Sequence, residues 1–229
     1  MFDVMMMDDG AELGRLQFDS ERLRRFTRVA PAAIALHQKP HPDRLSAEVF
    51  LDQAYGRAFG GRIRRHYPNI MTLRDEAGDV LAAVGFRKAA HEPLFLEQYL
   101  DDPVEQAVAR ESGRPAARHQ IAEIGNLASC NPGASLILFL ALARHLDQSG
   151  CDLAVATATR QLRRSFAKVG FATRQLAAAD RSRLAGGAED WGRYYDTDPL
   201  VLVGEIAPAL PALSHLLVTC AERQEARVH

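Results

Sequence analysis

Two carboxylates and an amide are the side chains of this sequence best suited to chemistry: Glu123, Glu97 and Asn126. Glu123 and Asn126 share the stretch Ile-Ala-Glu-Ile-Gly-Asn-Leu-Ala-Ser at 121–129. A Glu held in a partly dry cleft has its pKa raised toward values at which it accepts a proton near neutral pH. An amide on the same strand can orient a carbonyl. The stretch continues into Cys-Asn-Pro-Gly-Ala-Ser at 130–135 and then an apolar helix. A helix start offers unpaired N–H groups and the positive end of the dipole, so it attracts phosphate. Gly133 permits close backbone approach, and Ala134 and Ser135 are small enough not to block it. Each carboxylate also has a quieter reading. Glu123 serves equally as a buried hydrogen-bonding group, and Glu97, where the apolar run 94–96 turns polar, as a surface or capping group.

These groups need strands and helices to hold them. Residues 69–73 and 80–87 read as strands joined by Asp-Glu-Ala-Gly-Asp, a hairpin whose small Ala82, Ala83 and Gly85 mark tight packing. Ser46 is expected to cap a helix running to Phe59, stopped by Gly60 and Gly61. Residues 119–128 form a strand. Residues 136–146 are apolar on nearly every face and predict a buried helix ending at Gly150. A strand at 151–158 follows, then a helix capped by Thr157, Thr159 or both, with Leu162, Phe166 and Val169 as one apolar stripe. Phe171 opens a further strand and 200–206 the last. Both Glu123 and Glu97 are thereby expected on central strands. Residues 1–20 read as a loosely structured or strand-like lead-in, and 207–229 as a terminal helix and tail on one domain spanning 1–229.

The chain has 229 residues, of which 47% are hydrophobic and 25% charged, with a formal net charge of -1. That balance argues against a dedicated nucleic-acid binder. The three cysteines are odd in number and lack CxxC spacing, which fits a reducing compartment. Cys130 is read as incidental or as a nucleophile without a His partner motif. No basic, apolar secretory leader is visible, and the apolar run 136–143 is too short to span a bilayer, so a cytoplasmic location is expected. The eight histidines show no HxxxH or HxH spacing, so no metal is expected. Arg22–Arg28 and Arg64–His66 are basic clusters, read as solvated faces or as anion contacts. Arg160, Arg163 and Arg164 admit the same two readings.

The order strand, turn, buried helix, strand, helix, Phe-Ala-Lys-Val-Gly-Phe (166–171) resembles the GNAT acyltransferase superfamily. Four segments sharpen this: Glu-Ile-Gly-Asn-Leu-Ala-Ser, Leu-Phe-Leu-Glu-Gln-Tyr-Leu-Asp, Thr-Ala-Thr-Arg-Gln-Leu-Arg-Arg-Ser-Phe and Trp-Gly-Arg-Tyr-Tyr. Together they resemble the thermostable hemolysin family, a GNAT-like group, over roughly 67–206. That group is distantly similar to acyl-homoserine-lactone synthases, which take acyl groups from a carrier protein.

The resemblance implies an α/β fold: a mixed, mostly antiparallel central sheet with splayed central strands, flanked by helices. It implies an acyltransferase drawing on acyl-CoA or the phosphopantetheine of an acyl carrier protein, with a small amine or alcohol as acceptor. Donor binding would fall to Leu127, Ala128, Asn131, Gly133, Ala134, Ser135, Arg160 and Arg164. Glu123 or Glu97 would be the base, Asn126 the carbonyl-orienting group, and the N–H groups of 126–128 an oxyanion site. Two departures stand out. The Gly-rich loop shrinks to Asn131–Ser135, and the tyrosine that often protonates the leaving thiolate corresponds to Phe166. Alternatives are an inactive GNAT-like binding module and a membrane-active hemolysin. A homodimer is compatible with all three.

Overall fold

The computed structural model describes residues 2–8, 11–18, 31–38, 43–168, 170–184 and 188–214. Among the described residues nine strands form one sheet, in the order β2-β1-β3-β4-β5-β6-β7-β9-β8. They are β1 (Phe2–Asp8), β2 (Ala11–Phe18), β3 (Ala33–His37), β4 (Asn69–Arg74), β5 (Val80–Lys88), β6 (Ile121–Ser129), β7 (Leu153–Ala158), β8 (Thr173–Ala178) and β9 (Leu200–Glu205). Neighbours run antiparallel except β1–β3 and β6–β7, which are parallel. The mixed, mostly antiparallel sheet is the expected one.

The strands at its centre are buried on both faces, which is why 80–88 is apolar almost without interruption. Alternation then decides which layer each residue joins. Ala82, Val84 and Phe86 pack with Met71 and Leu73 against helix α3 (Pro132–Gln148), through Ile137, Leu138 and Ala141. On the opposite face Ala83 and Ile70 meet Ala47 and Leu51 of helix α1 (Arg44–Phe59). Farther along that face, helix α2 (Val104–Ser112) and the 3-10 turn Phe95–Tyr99 cover Ile121, Val155, Val201 and Val203. Helix α4 (Arg160–Lys168) packs Phe166 and Leu162 beside Phe139, Phe171 and Leu202. A short helix α5 (Ala209–Ser214) ends the described chain. None of the helices among the described residues is long and apolar enough to cross a membrane.

Several local expectations shift by a few residues for identifiable reasons. The lead-in is a hairpin on the edge of the sheet, and β1 pairs in parallel with β3. Helix α1 starts at Arg44, ahead of Ser46, whose hydroxyl instead donates to Asp43 O at 2.8 Å. Buried Arg44 anchors that start by donating to the carbonyls of His37, Pro68 and Tyr67. Helix α3 likewise begins at Pro132, four residues earlier than its apolar run. Pro is pre-shaped for the first helical position, and Asn131 Oδ1 caps Ala134 N at 2.9 Å. Of the two threonines, Thr159 caps α4, accepting from Leu162 N at 3.2 Å. The basic cluster 22–28 lies outside the described residues.

Tyr67 packs its ring over two glycines on adjacent strands, Gly85 of β5 and Gly125 of β6, which are register partners. A Cβ on Gly85 would sit 2.8 Å from Tyr67 Cβ, and one on Gly125 2.6 Å from Tyr67 Cζ. Neither position tolerates a methyl group without displacing the ring. Gly125→Ala is therefore expected to lose about 1–3 kcal/mol of stability, the usual cost of overpacking a core. Urea unfolding measures this, and an unchanged midpoint would contradict the packing described.

Candidate active site

The parallel pairing of β6 with β7 covers only Ile121–Ile124 against Leu153–Ala156. On its other edge β6 stays paired to β5 as far as Ser129, but with a change of register. Gly85 faces Gly125 and Ala83 faces Ala128, so Asn126 and Leu127 together oppose Val84. This is a β-bulge, and bulges bend and twist the strand that carries them. Asn126 takes the left-handed backbone at φ 49°, a conformation Asn tolerates better than most residues. The bend carries β6 away from β7 just past Ile124 and Ala156, and the sheet opens there.

The opening is a cavity of about 310 Å³. Its walls come from both layers: Tyr55 and Phe59 of α1 on one face, Phe139 of α3 with Leu162 and Phe166 of α4 on the other. Tyr194 closes one side and donates its hydroxyl to Thr157 O at 3.1 Å. No Asp, Glu, Lys, Arg or His is among the described lining residues. Asn126 Nδ2 and Thr157 Oγ1 are closed to solvent and have no hydrogen-bond partner among the described residues.

The predicted site residues divide into four groups. Asn126, Leu127, Ala128 and Ser135 line the cavity. Asn131, Gly133 and Ala134 do not line it; they build the first turn of α3. There Pro132 has no N–H, Ala134 N is spent on Asn131 Oδ1, and Ser135 N on Asn131 O at 3.4 Å. The turn is largely self-capped rather than an open phosphate cradle. Arg160 pairs with Asp198, Arg163 donates to Asp198 O at 3.4 Å, and Arg164 is exposed. Arg64 and His66 are likewise paired, with Asp190 and Asp52. Cys130 is exposed, its sulfur accepting from Asn131 Nδ2 at 3.2 Å.

The two carboxylates stand apart from the cavity. Glu97 lies on the 3-10 turn Phe95–Tyr99, not on a central strand, because the short apolar run before it turns under α2 instead of extending. It accepts from Leu94 N at 2.7 Å and Val104 N at 3.1 Å and pairs with Arg118 at 2.7 Å. Burial pushes its carboxyl up, but Arg118 and the two N–H groups outweigh this and hold it below its ordinary value. That is the capping role. Glu123 is on β6 as expected and is 1% exposed. Its oxygens accept from Phe95 N and Leu96 N, both at 2.9 Å, and Arg87 Nε lies 3.2 Å away. The Arg87 guanidinium sits 4.4 Å from the centre of the Tyr67 ring. Burial pushes the Glu123 carboxyl up to about 7, against the opposing pull of Arg87 and the two N–H groups. Its pKa would suit a base at neutral pH, but its oxygens are committed to tying 95–96 onto β6.

Thr157, Tyr55 and Phe59 are cavity residues that sequence reasoning did not single out as such. Thr157 and Thr159 both read as caps; Thr159 caps α4, and both line the cavity.

Glu123→Gln replaces one acceptor oxygen with a donor facing a backbone N–H, and is expected to cost about 1–3 kcal/mol. A carboxyl raised from 4.5 to about 7 binds its proton more tightly in the folded state. Its contribution is fully present below pH 4.5 and lost as pH rises through about 7. Stability measured across that window should therefore fall for the wild type and flatten in Glu123→Gln. Parallel slopes would contradict a buried, protonatable Glu123.

The fold is shared with several solved structures. TofI in an apo form superimposes with a TM-score of 0.56 at 14% identity, covering 79% of this chain and 95% of that one. LasI, described as an AHL synthase, gives 0.53 at 14% identity, covering 81% and 97%. FeeM, an N-acyl amino acid synthase from uncultured soil microbes, gives 0.53 at 13% identity, covering 81% and 94%. At such identities the likeness establishes a GNAT-like fold. A search of curated proteins finds no match. The family profile described as thermostable hemolysin matches residues 37–210, and with that span covered the chain belongs to the thermostable hemolysin family.

Proposed function

We propose that the protein is an acyltransferase working as one GNAT-like domain. It takes an acyl group from a thioester donor, acyl-CoA or the phosphopantetheine arm of a carrier protein, and passes it to a small amine or alcohol. The observation that carries this reading is the parting of β6 and β7 after Ile124 and Ala156. An extended arm bearing amides is what such a gap accommodates, since the strand edges there keep N–H and C=O groups free of each other. Two structures of the same fold are described as synthases of acylated products, LasI as an AHL synthase and FeeM as an N-acyl amino acid synthase.

In this reading the donor thioester lies beside Asn126 and Thr157, with Leu127 and Ala128 along the arm and the aromatic walls excluding water. The acceptor attacks as a neutral nucleophile, because no charged side chain among the described residues lines the cavity. Glu123 and Glu97 act at one remove: they hold the 94–104 segment against β6 and so fix the floor beneath the gap. Phe166 occupies the wall without a proton to give, so the leaving sulfur is protonated by the proton the nucleophile releases.

Incubating the pure protein with octanoyl-CoA and octanoyl-carrier protein, with an amine panel present, should release free thiol and form an amide detectable by mass spectrometry. A binding module without turnover is the second reading, favoured by Phe166 and the self-capped start of α3. Retention of donor with no thiol release would support that module and contradict acyl transfer.

A further inference from the structure

We propose that Tyr55 selects the acceptor. Its hydroxyl, in an aromatic recess on the α1 side of the gap, accepts a hydrogen bond from the nucleophile of a molecule uncharged at neutral pH: an alcohol or weakly basic amine on a ring-sized apolar body. The inference rests on the acyltransferase reading and narrows its acceptor.

Nearly every hydroxyl around the cavity is already engaged. Ser129 and Ser135 bond each other, Ser165 donates to Gln161 O at 3.2 Å, and Thr159 accepts from Leu162 N. Tyr194 donates to Thr157 O, and Thr157 Oγ1 is closed to solvent. Among the described lining residues, the hydroxyl of Tyr55 alone is neither hydrogen-bonded nor closed off. It keeps a donor and an acceptor for whatever displaces water from the cavity. Its position is fixed by packing. Tyr55 lies with Ala128 of the parted β6 edge against Leu51, Ile70 and Ala83. Its ring meets Phe59 edge-on at 5.5 Å, and Phe59 meets Tyr194 edge-on at 5.2 Å. These three rings line the α1 side, while Phe139, Leu162 and Phe166 line the other and remain for the acyl chain.

Two properties of the recess choose the acceptor. The described lining residues carry no charge, so an ammonium or carboxylate entering it would surrender water and meet no opposite charge. Burial pushes the Tyr55 hydroxyl well above its ordinary pKa, so the phenol stays neutral and offers no anion to a cation. A neutral O–H or N–H needs only one acceptor atom, which the phenol oxygen supplies. The apolar body behind it gains by packing on the rings of Phe59 and Tyr194. Bonded through its hydrogen, the nucleophile keeps its lone pair free for the thioester.

The test uses the full chain at neutral pH, with octanoyl-CoA and octanoyl-carrier protein as donors and acceptors that share one ring. Benzyl alcohol and aniline are uncharged there, benzylamine is a cation and phenylglycine a zwitterion. S-octyl-pantetheine, which lacks the thioester carbonyl, probes donor binding. For benzyl alcohol or aniline, kcat/KM should exceed that for benzylamine and phenylglycine by about tenfold or more, because an unpaired charge is costly to desolvate. Tyr55→Phe keeps the ring and removes the hydroxyl. It should raise KM for the favoured acceptor about 3–10-fold, the worth of one neutral hydrogen bond, with kcat, donor KM and S-octyl-pantetheine affinity near wild type. A preference for benzylamine or phenylglycine, an unchanged acceptor KM in Tyr55→Phe, or equal losses of donor and acceptor affinity would overturn the acceptor assignment alone. So would a wild type that binds S-octyl-pantetheine yet acylates none of these acceptors. A wild type that neither turns over a donor nor binds S-octyl-pantetheine would overturn the acyltransferase reading, and this assignment with it.

Discussion

Two parallel strands that part inside a sheet must each leave N–H and C=O groups without the neighbour they would have had, and buried backbone groups rarely stay unpaired. Here β6 meets this constraint on one side only. It remains bonded to β5 through Ser129 while leaving β7 after Ile124, and the extra residue at Asn126 is what makes both possible. Without the bulge, β6 would follow β7 for its whole length and the sheet would close. The opening between β6 and β7 follows from that single inserted residue.

A parted sheet is weaker than a closed one, and the buried polar network beneath the gap compensates. Glu123 sits one residue before the last paired position and bonds to two successive N–H groups of the 3-10 turn at 95–99. Arg87 lies against Glu123 from the neighbouring β5 and stacks on Tyr67, whose ring fills the space that Gly85 and Gly125 leave open. Glu97 and Arg118 tie the same turn to the start of α2. Charge-assisted hydrogen bonds of this kind are strong and directional, and they hold the floor in place while the strands above diverge. Ring contacts linking Phe59, Tyr194, Trp191 and Phe95, the first pair edge-to-face and the others tilted, extend the frame along one wall.

Much of this was legible in the sequence, and the misses share a physical cause. The hairpin of β4 and β5 and the helix α3 announce themselves by turn residues and by apolar pattern, both local signals. The family resemblance brought the splayed strands with it. The bulge itself left no trace, since Gly-Asn inside a strand-like run reads the same with or without an extra residue. The run Leu94–Leu96 predicts an extended segment and a strand position for Glu97, whereas the conformation there is set by Glu123 and Arg118, far away in sequence. Thr157 and Thr159 are both ordinary cap candidates, and only the tertiary position of α4 separates them. Where local preference decided the outcome the reading succeeded; where a partner from another strand decided it, the reading did not.

The central claim is that the gap between β6 and β7 receives the arm of an acyl thioester. The most direct measurement is a crystal structure of the protein with S-octyl-pantetheine, an analogue that cannot be cleaved. The account predicts its amides bonded to the free backbone edge at Gly125–Ala128, its thioether beside Asn126 and Thr157, and its octyl chain against the aromatic walls. An analogue bound elsewhere, or a gap closed by renewed β6–β7 pairing with no ligand between the strands, would contradict it.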